Sequence, residues 1–385
     1  MMIAVDWQNR DAIRGIVIAL LALLVAAAGG VTFARMHQDE EIVSGEGVTQ
    51  RKMLSTYDAQ LAGSPADTPI FILEGREPGA TMLLIGGCHP QEISGFITAV
   101  VTVENAIVQK GRLIVVPQAN RSGFTYTEPL EGYPHTFTID AAQGTRWFRL
   151  GMRLSNPVHQ WPDPDLYIHP QSGEGLVGWE ARNLNRNFPG NARGRHTARV
   201  ASALTTLAKI EKVDLVLDLH EAYPEYPIIN MIVAHERAFE VASLTKLMLE
   251  SRNIRIDLMA SPRKLRGLSH REFGDNTSAL AMLAETANPA MGRFRGRTDE
   301  ELVTQGKDSN YVEAAKLGRL FVPFNEEGHP LRKRVSRHLA TISEMLDVYN
   351  EIDPAKQLTL SNLPPFERVA TEGIGPFLKP PTRNP

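Results

Sequence analysis

Residues 215–222 read LVLDLHEA, an apolar run that ends on His220. A nearly continuous apolar run of this length reads as a strand buried on both faces. Working outward, runs of the same kind occur at Pro69–Leu73 (PIFIL), Thr81–Gly86 (TMLLIG), Arg112–Val116 (RLIVV), Ile228–Val233 and Ala279–Ala284. Helical patterns alternate with them at Gln91–Val108, Thr197–Ile210 and Ala238–Arg252. The alternation predicts an α/β fold whose mixed, mostly parallel sheet carries helices on both faces. A histidine at the C-terminal end of such a strand stands on the face where these sheets place their sites.

The chain has 385 residues, 43% of them hydrophobic, enough for one large α/β domain or two small ones. A net charge of -3 with 22% charged residues gives no sign of a nucleic-acid partner. The one cysteine, Cys88, excludes an intrachain disulfide and a cysteine-based zinc site. Any metal must therefore be held by His, Asp or Glu.

The first forty residues are of a different kind. Gly15 to Ala34 carries no charge, and about 20 such residues in a helix cross a bilayer. Arg10 and Arg14 precede this run and Asp39, Glu40 and Glu41 follow it, which favours a cytoplasmic N-terminus and a translocated remainder. The segment reads as a membrane anchor or as a signal sequence cleaved near Ala28-Gly29-Gly30 or Thr32-Phe33-Ala34. The expected organisation is anchor or signal segment 1–40, catalytic domain 41–352 and a proline-rich tail 353–385, extended or disordered. Between Arg121 and Asn191 regular patterning gives way to Pro, Gly, Tyr, Trp and His, read as a long loop that builds and roofs a cleft. The stripe Val335, Leu339, Ile342, Leu346 and Tyr349 is a core-facing helix.

Four segments carry chemistry. IGGCHPQE (Ile85–Glu92) ends a strand on a diglycine and places His89 and Glu92 three apart at the mouth of a helix. Both side chains then reach one ion, although Glu92 also suits a solvated helix N-terminus. ARNLNRNFPG (Ala181–Gly190) sets Asn185 beside Arg186, planar donors suited to a carboxylate or simply a surface turn. His220 adds a third ligand, or is a core histidine satisfied by backbone. Two His and one Glu leave a coordination position open for water. LAMLAETANP (Leu280–Pro289) ends a strand on Glu285, either a desolvated general base or a glutamate paired with an arginine of MGRFRGR.

The order of these four segments resembles the zinc carboxypeptidases and their relatives, the succinylglutamate desuccinylases and aspartoacylases; NLNRNFPG looks especially like the latter group. The resemblance spans roughly residues 69–290. It implies one zinc ion held by His89, Glu92 and His220, with Glu285 as general base. It implies Asn185 and Arg186 as the grip on a substrate carboxylate, and an oxyanion partner among Arg146, Arg149 and Arg153, of which Arg149, next to the bulky Phe148, is favoured. The implied reaction is hydrolysis of an amide bond of an N-acyl amino acid or similar small carboxylate, with a carboxypeptidase acting on peptides, such as cell-wall peptides, as the alternative. A catalytically dead binding protein is a third reading; retention of all three ligands and Glu285 argues against it.

Three departures from the family pattern stand out. Asn183 occupies the place of a supporting aspartate, where its amide oxygen can still accept a hydrogen bond. The residues after Glu285 look helical, whereas the deacylases end in a small β-rich domain. The family's late tyrosine has only Tyr311 as a candidate, in a segment that fits a helix. His135, His159 and His169 fall in the long loop, and Cys88 is expected to pack as a small apolar residue.

Overall fold

The structure is a computed structural model that describes residues 7–127 and 133–381. Contacts divide the chain into two units, residues 1–40 and 41–385. The first contains one helix, α1 (Trp7–Met36), within which Arg10–Ala34 is long and apolar enough to cross a membrane.

The second unit begins with β1 (Gln50–Met53), β2 (Pro69–Glu74), β3 (Glu77–Ile85), α2 (Ile93–Asn105), β4 (Ile107–Val116), β5 (Thr136–Ala141), β6 (Gly144–Arg149), β7 (Leu166–Ile168) and β8 (Gly175–Val177). It continues with α3 (His196–Ile210), β9 (Leu215–Ala222), β10 (Met231–Ala234), α4 (Phe239–Ser251), β11 (Asp257–Ala260), α5 (Ser269–Asn276) and β12 (Leu280–Ala287). The last elements are α6 (Glu300–Gln305), α7 (Ser309–Lys316), α8 (Leu331–Ile352), β13 (Thr359–Ser361) and α9 (Phe366–Glu372).

The main sheet runs β1-β2-β4-β3-β9-β12-β10-β11, with β13 added along β4. Its centre, β4-β3-β9-β12, is parallel, and the flanking pairs β1–β2, β2–β4 and β10–β12 are antiparallel. The mixed sheet expected from the apolar runs is thus present. Alternation assigns the faces: Met82, Leu84, Leu217 and Leu219 pack with α2, α4 and α8, while Leu83, Ile85 and Val216 pack with α3. The stripe on α8 is buried throughout, from Val335 to Tyr349.

Two details fix the site's frame. Gly87 takes a left-handed φ of 61° in the turn that leaves β3, a conformation only glycine adopts at no steric cost. Gly95 lies in the first turn of α2, where a Cβ would sit 2.3 Å from the carbonyl oxygen of Leu219, so the helix start presses directly on β9.

Two regions differ from expectation. The described residues of the 121–191 segment are not structureless: they fold into the hairpins β5–β6 and β7–β8 and several 3-10 turns. The C-terminal segment, over its described residues 353–381, is not extended. It adds β13 to the sheet and lays α9 along α8, burying Val369, Ile374, Phe377 and Leu378. The prolines punctuate that segment, but its apolar residues supply enough surface to hold it on the core.

On the α8 side of β9, Glu221 is fully buried. It accepts hydrogen bonds from Arg334 Nη1 at 2.8 Å, the Ser94 amide at 3.1 Å and Asn288 Nδ2 at 2.9 Å. Removing one partner of a buried pair strands the other charge at a cost of about 3–5 kcal/mol. Arg334→Met is therefore expected to lower unfolding stability by about that amount, and Glu221→Gln/Arg334→Met to recover part of it. Denaturant titration of the three proteins checks this; equal stability of Arg334→Met and the parent would contradict it.

Candidate active site

His89 and Glu92 leave the β3 turn together: the Glu92 amide donates to the His89 carbonyl at 2.9 Å, which folds residues 89–92 into a tight turn. Both side chains thereby face β9, where His220 ends the apolar run. All three are buried, and their ligand atoms lie within 4.8 Å of one another. His89 Nδ1 stands 2.7 Å from Glu92 Oε1, and His220 Nδ1 stands 2.7 Å from Glu92 Oε2. The two imidazoles meet edge to face at 4.8 Å.

The far nitrogen of each ring is held from behind. His89 Nε2 lies 2.8 Å from Asn183 Oδ1, and His220 Nε2 lies 2.8 Å from Asp218 Oδ2. The orientation of Asn183 is fixed, because its Nδ2 donates to Glu180 Oε2 while its Oδ1 accepts the Asn185 amide. His89 Nε2 must then be the protonated nitrogen. Burial and the nearby Arg153 hold His89 down at about 4, so the ring is neutral near pH 7. Its Nδ1 lone pair thus faces a carboxylate oxygen at 2.7 Å with no proton between them. Such an arrangement requires a positive charge. Arg153 Nη1 supplies part of it, 3.3 Å from both His89 Nδ1 and Glu92 Oε1. A divalent cation fits the donor set of two imidazole nitrogens, each held by an outer hydrogen-bond partner, and one carboxylate.

The charges tell the same story. Burial alone would raise Glu92, but the two histidines outweigh it and hold the carboxyl well below its usual range. Burial alone would lower His220, but Asp218 and Glu92 raise it well above an ordinary histidine. Burial and then Asp218 push the Cys88 thiol up to about 12, so it stays a thiol.

Glu285 lies on β12 directly beside His220 in the parallel register. Its Oε2 is buried without a hydrogen-bond partner among the described residues. Burial, then the charge of Glu92, lifts its carboxyl to about 8. These residues line one cleft of ≈ 480 Å³, together with Arg153, Asn185 and Arg186. Asn185 Oδ1 accepts from the Ser269 amide at 2.8 Å, so what Asn185 offers the cleft is its NH2 group. The Arg186 carbonyl accepts from Tyr167 at 3.1 Å, and Gly267 packs on the Arg186 backbone, which locks the Asn-Arg turn in place.

The structure corrects one assignment. Arg149 does not reach the cleft: it is 1% exposed and its guanidinium lies over the Phe124 ring. It points inward from β6, whereas Arg153 follows four residues later in the irregular stretch that meets His89 and Glu92. Arg146 is also remote, paired with Glu104 at 3.1 Å. Tyr311 sits in α7 and donates to Glu225 Oε2 at 2.7 Å, while Tyr223 and Tyr226, from the loop after β9, line the cleft instead. The loop histidines are engaged locally: His135 with Thr127, His159 with Ser122 and His169 with Ser172.

Sequence reasoning missed Asp218, although its alternation with His220 on one strand face was readable. It also missed His270, Tyr226 and Arg293, which reach the cleft from separate loops and α5 and carry no local pattern.

The sheet thus brings a His-Glu-His cluster to its strand ends, with a desolvated glutamate beside it. Residues 167–285 match the family described as the succinylglutamate desuccinylase/aspartoacylase catalytic domain. The match spans Asn185, Arg186, His220 and Glu285. The likeness to that branch read from the motifs is supported there for three of the four, the His89-Glu92 segment lying outside the matched residues. Similar solved structures include the cell shape determinant protein Csd4 of Helicobacter pylori (13% identity, TM-score 0.44, 76% of this chain and 55% of that one). Others are a succinylglutamate desuccinylase from a Silicibacter species (18%, TM-score 0.35, 59% and 55%) and a succinylglutamate desuccinylase/aspartoacylase from Rhodobacter sphaeroides (19%, TM-score 0.29, 55% and 57%). The chain spans a little over half the length of these structures. No curated protein matches it.

The raised Glu285 carboxyl has a measurable consequence in the metal-free protein. Between about 4.5 and about 8 the group is protonated in the fold and ionised in the unfolded chain, so its contribution to stability is lost as pH rises through that window. Glu285→Gln is therefore expected to melt higher than the parent at pH 8 in chelator, with the gain shrinking toward pH 4.5. A difference independent of pH would contradict the assignment.

Proposed function

We propose that the protein is a zinc-dependent hydrolase that cleaves an amide bond of an N-acyl amino acid or related small carboxylate. The observation that carries this reading is the His89 and Glu92 pair, an acceptor facing an acceptor at 2.7 Å and backed by Asn183, with His220 converging on the other Glu92 oxygen and braced by Asp218. His89, Glu92 and His220 would hold one zinc ion. Bound there, zinc would supply a Lewis acid and lower the pKa of a water toward neutrality.

The chain's own residues account for the rest. Asn185 and Arg186 take the substrate carboxylate, a planar pair of donors on a turn locked from both sides. That anchor orients the amide toward Glu285. The Glu285 carboxylate accepts the proton of the attacking water and returns it to the leaving nitrogen. Arg153, within reach of the same space, faces the oxygen on which negative charge develops. Asn183 and Asp218 keep the two imidazoles in one tautomer and orientation.

One observation favours the alternative, a carboxypeptidase acting on peptides. The described chain after Glu285 forms helices α6 to α9 and a single strand that joins the main sheet, in place of the β-rich domain that narrows the deacylase cleft. We read residues 1–40 as a membrane anchor or cleaved signal segment, with the catalytic domain, residues 41–352, outside the cytoplasm. The support is the length and charge asymmetry around Arg10–Ala34.

With zinc loaded, Glu285→Gln is expected to retain the metal and lose roughly 10²–10⁴-fold in turnover, the usual worth of a general base. Arg153→Ala is expected to lower kcat with little change in KM, whereas Arg149→Ala acts on stability. Amine release measured over N-acyl amino acids and short peptides with free and blocked C-termini checks both. Full activity in Glu285→Gln would remove that residue from the role.

A further inference from the structure

One part of the cleft is unused by this mechanism. Val233 on β10 pairs in register with Met259 on β11 and with Leu283 on β12. In-register partners share a face of the sheet, so Met259, Val233 and Leu283 form one apolar row across three strands. Leu283 lies two residues before Glu285 on β12 and opposite Asp218 of β9, so the row faces the same side as His220 and Glu285. Two residues of strand advance about 6.5–7 Å, so the row begins that far behind Glu285 along β12. Ile228, Leu265 and Leu268 line the cleft beside this row.

Arg293 of the cleft follows the C-terminal end of β12, beyond Glu285, and the polar groups of α5 and the loop before it, beside the row, are engaged elsewhere. His270 lines the cleft, but its Nδ1 is engaged with Ser261 Oγ at 3.0 Å, and burial holds it neutral. Arg271 is bound to Glu236 at 2.6 Å and to Asp275 at 3.1 Å. Arg266 is bound to Glu272 at 2.7 Å and to Asp275 at 2.6 Å. A carboxylate side chain placed on the row would be desolvated without a partner, whereas an apolar one buries surface against three strands.

We infer that this row is the side-chain subsite, and that the amino acid whose carboxylate Arg186 takes carries an aliphatic, thioether or aromatic side chain rather than an acidic one. The inference rests on the hydrolase reading above and narrows its substrate class. It sets the cleft apart from one built for a second carboxylate. Methylene-sized differences in such a pocket discriminate by about 10–200-fold.

The test compares zinc-loaded full-length protein on N-acetyl-leucine, N-acetyl-methionine, N-acetyl-glutamate and N-acetyl-aspartate. The leucine and methionine amides are expected to show kcat/KM at least about 10-fold above the acidic ones. Met259→Arg, at the half-exposed edge strand, is expected to shrink or invert that ratio. Calorimetric titration with free leucine and glutamate provides a second readout that needs no turnover, with leucine binding tighter. Faster cleavage of the acidic amides, or tighter glutamate binding, overturns the subsite and leaves the hydrolase reading standing. If none of the amides is cleaved, the hydrolase reading suffers, and the titration alone decides the subsite: tighter leucine supports it, and equal or weaker leucine overturns it.

Discussion

The carboxylate of Glu92 is the point on which the site depends. It stands at the N-terminus of α2, accepts from the Glu221 amide at 3.0 Å, and lies 2.7 Å from one nitrogen of each histidine. A helix N-terminus welcomes such a charge, and the Glu221 amide and the His220 ring on its Oε2 help keep it ionised. Its placement follows from backbone geometry upstream. The left-handed Gly87 turns the chain out of β3, and Gly95 lets α2 approach β9 closely enough for Glu92 to reach His220.

Adjacent residues of β9 divide the labour. His220 faces the cleft and Glu221, one step along the pleat, faces α8, where Arg334, Ser94 and Asn288 satisfy it. One strand end therefore both carries a candidate ligand and ties down the start of α2. The His220 ring is braced by Asp218 two residues earlier, and Asp218 in turn accepts from Ser269 Oγ at 2.5 Å. The polar network is continuous from the α5 N-terminus to the cleft. Loosening it would cost orientation before it cost stability.

Much of this was legible in the residues. Near-continuous apolar runs gave the central strands within a few positions, because strands buried on both faces leave no alternative pattern. The ligand candidates were legible because each ends a strand or opens a helix, where the chain itself sets direction. Arginine choice was not: Arg146, Arg149 and Arg153 lie within eight residues, and only the hairpin β5–β6 decides which faces inward. Tyr226, His270 and Arg293 were not legible either, since separate loops and α5 bring them together without periodicity. The tail misled because proline content suggested extension, while Val369, Ile374, Phe377 and Leu378 were enough to fold it onto the core.

The central claim is that His89, Glu92 and His220 form one zinc site. Anomalous scattering recorded across the zinc edge, from crystals of protein prepared with zinc, tests it most directly. The account predicts a single strong peak per chain in contact with those three side chains and its loss in His220→Ala. No peak, or a peak bound to other residues, would contradict it.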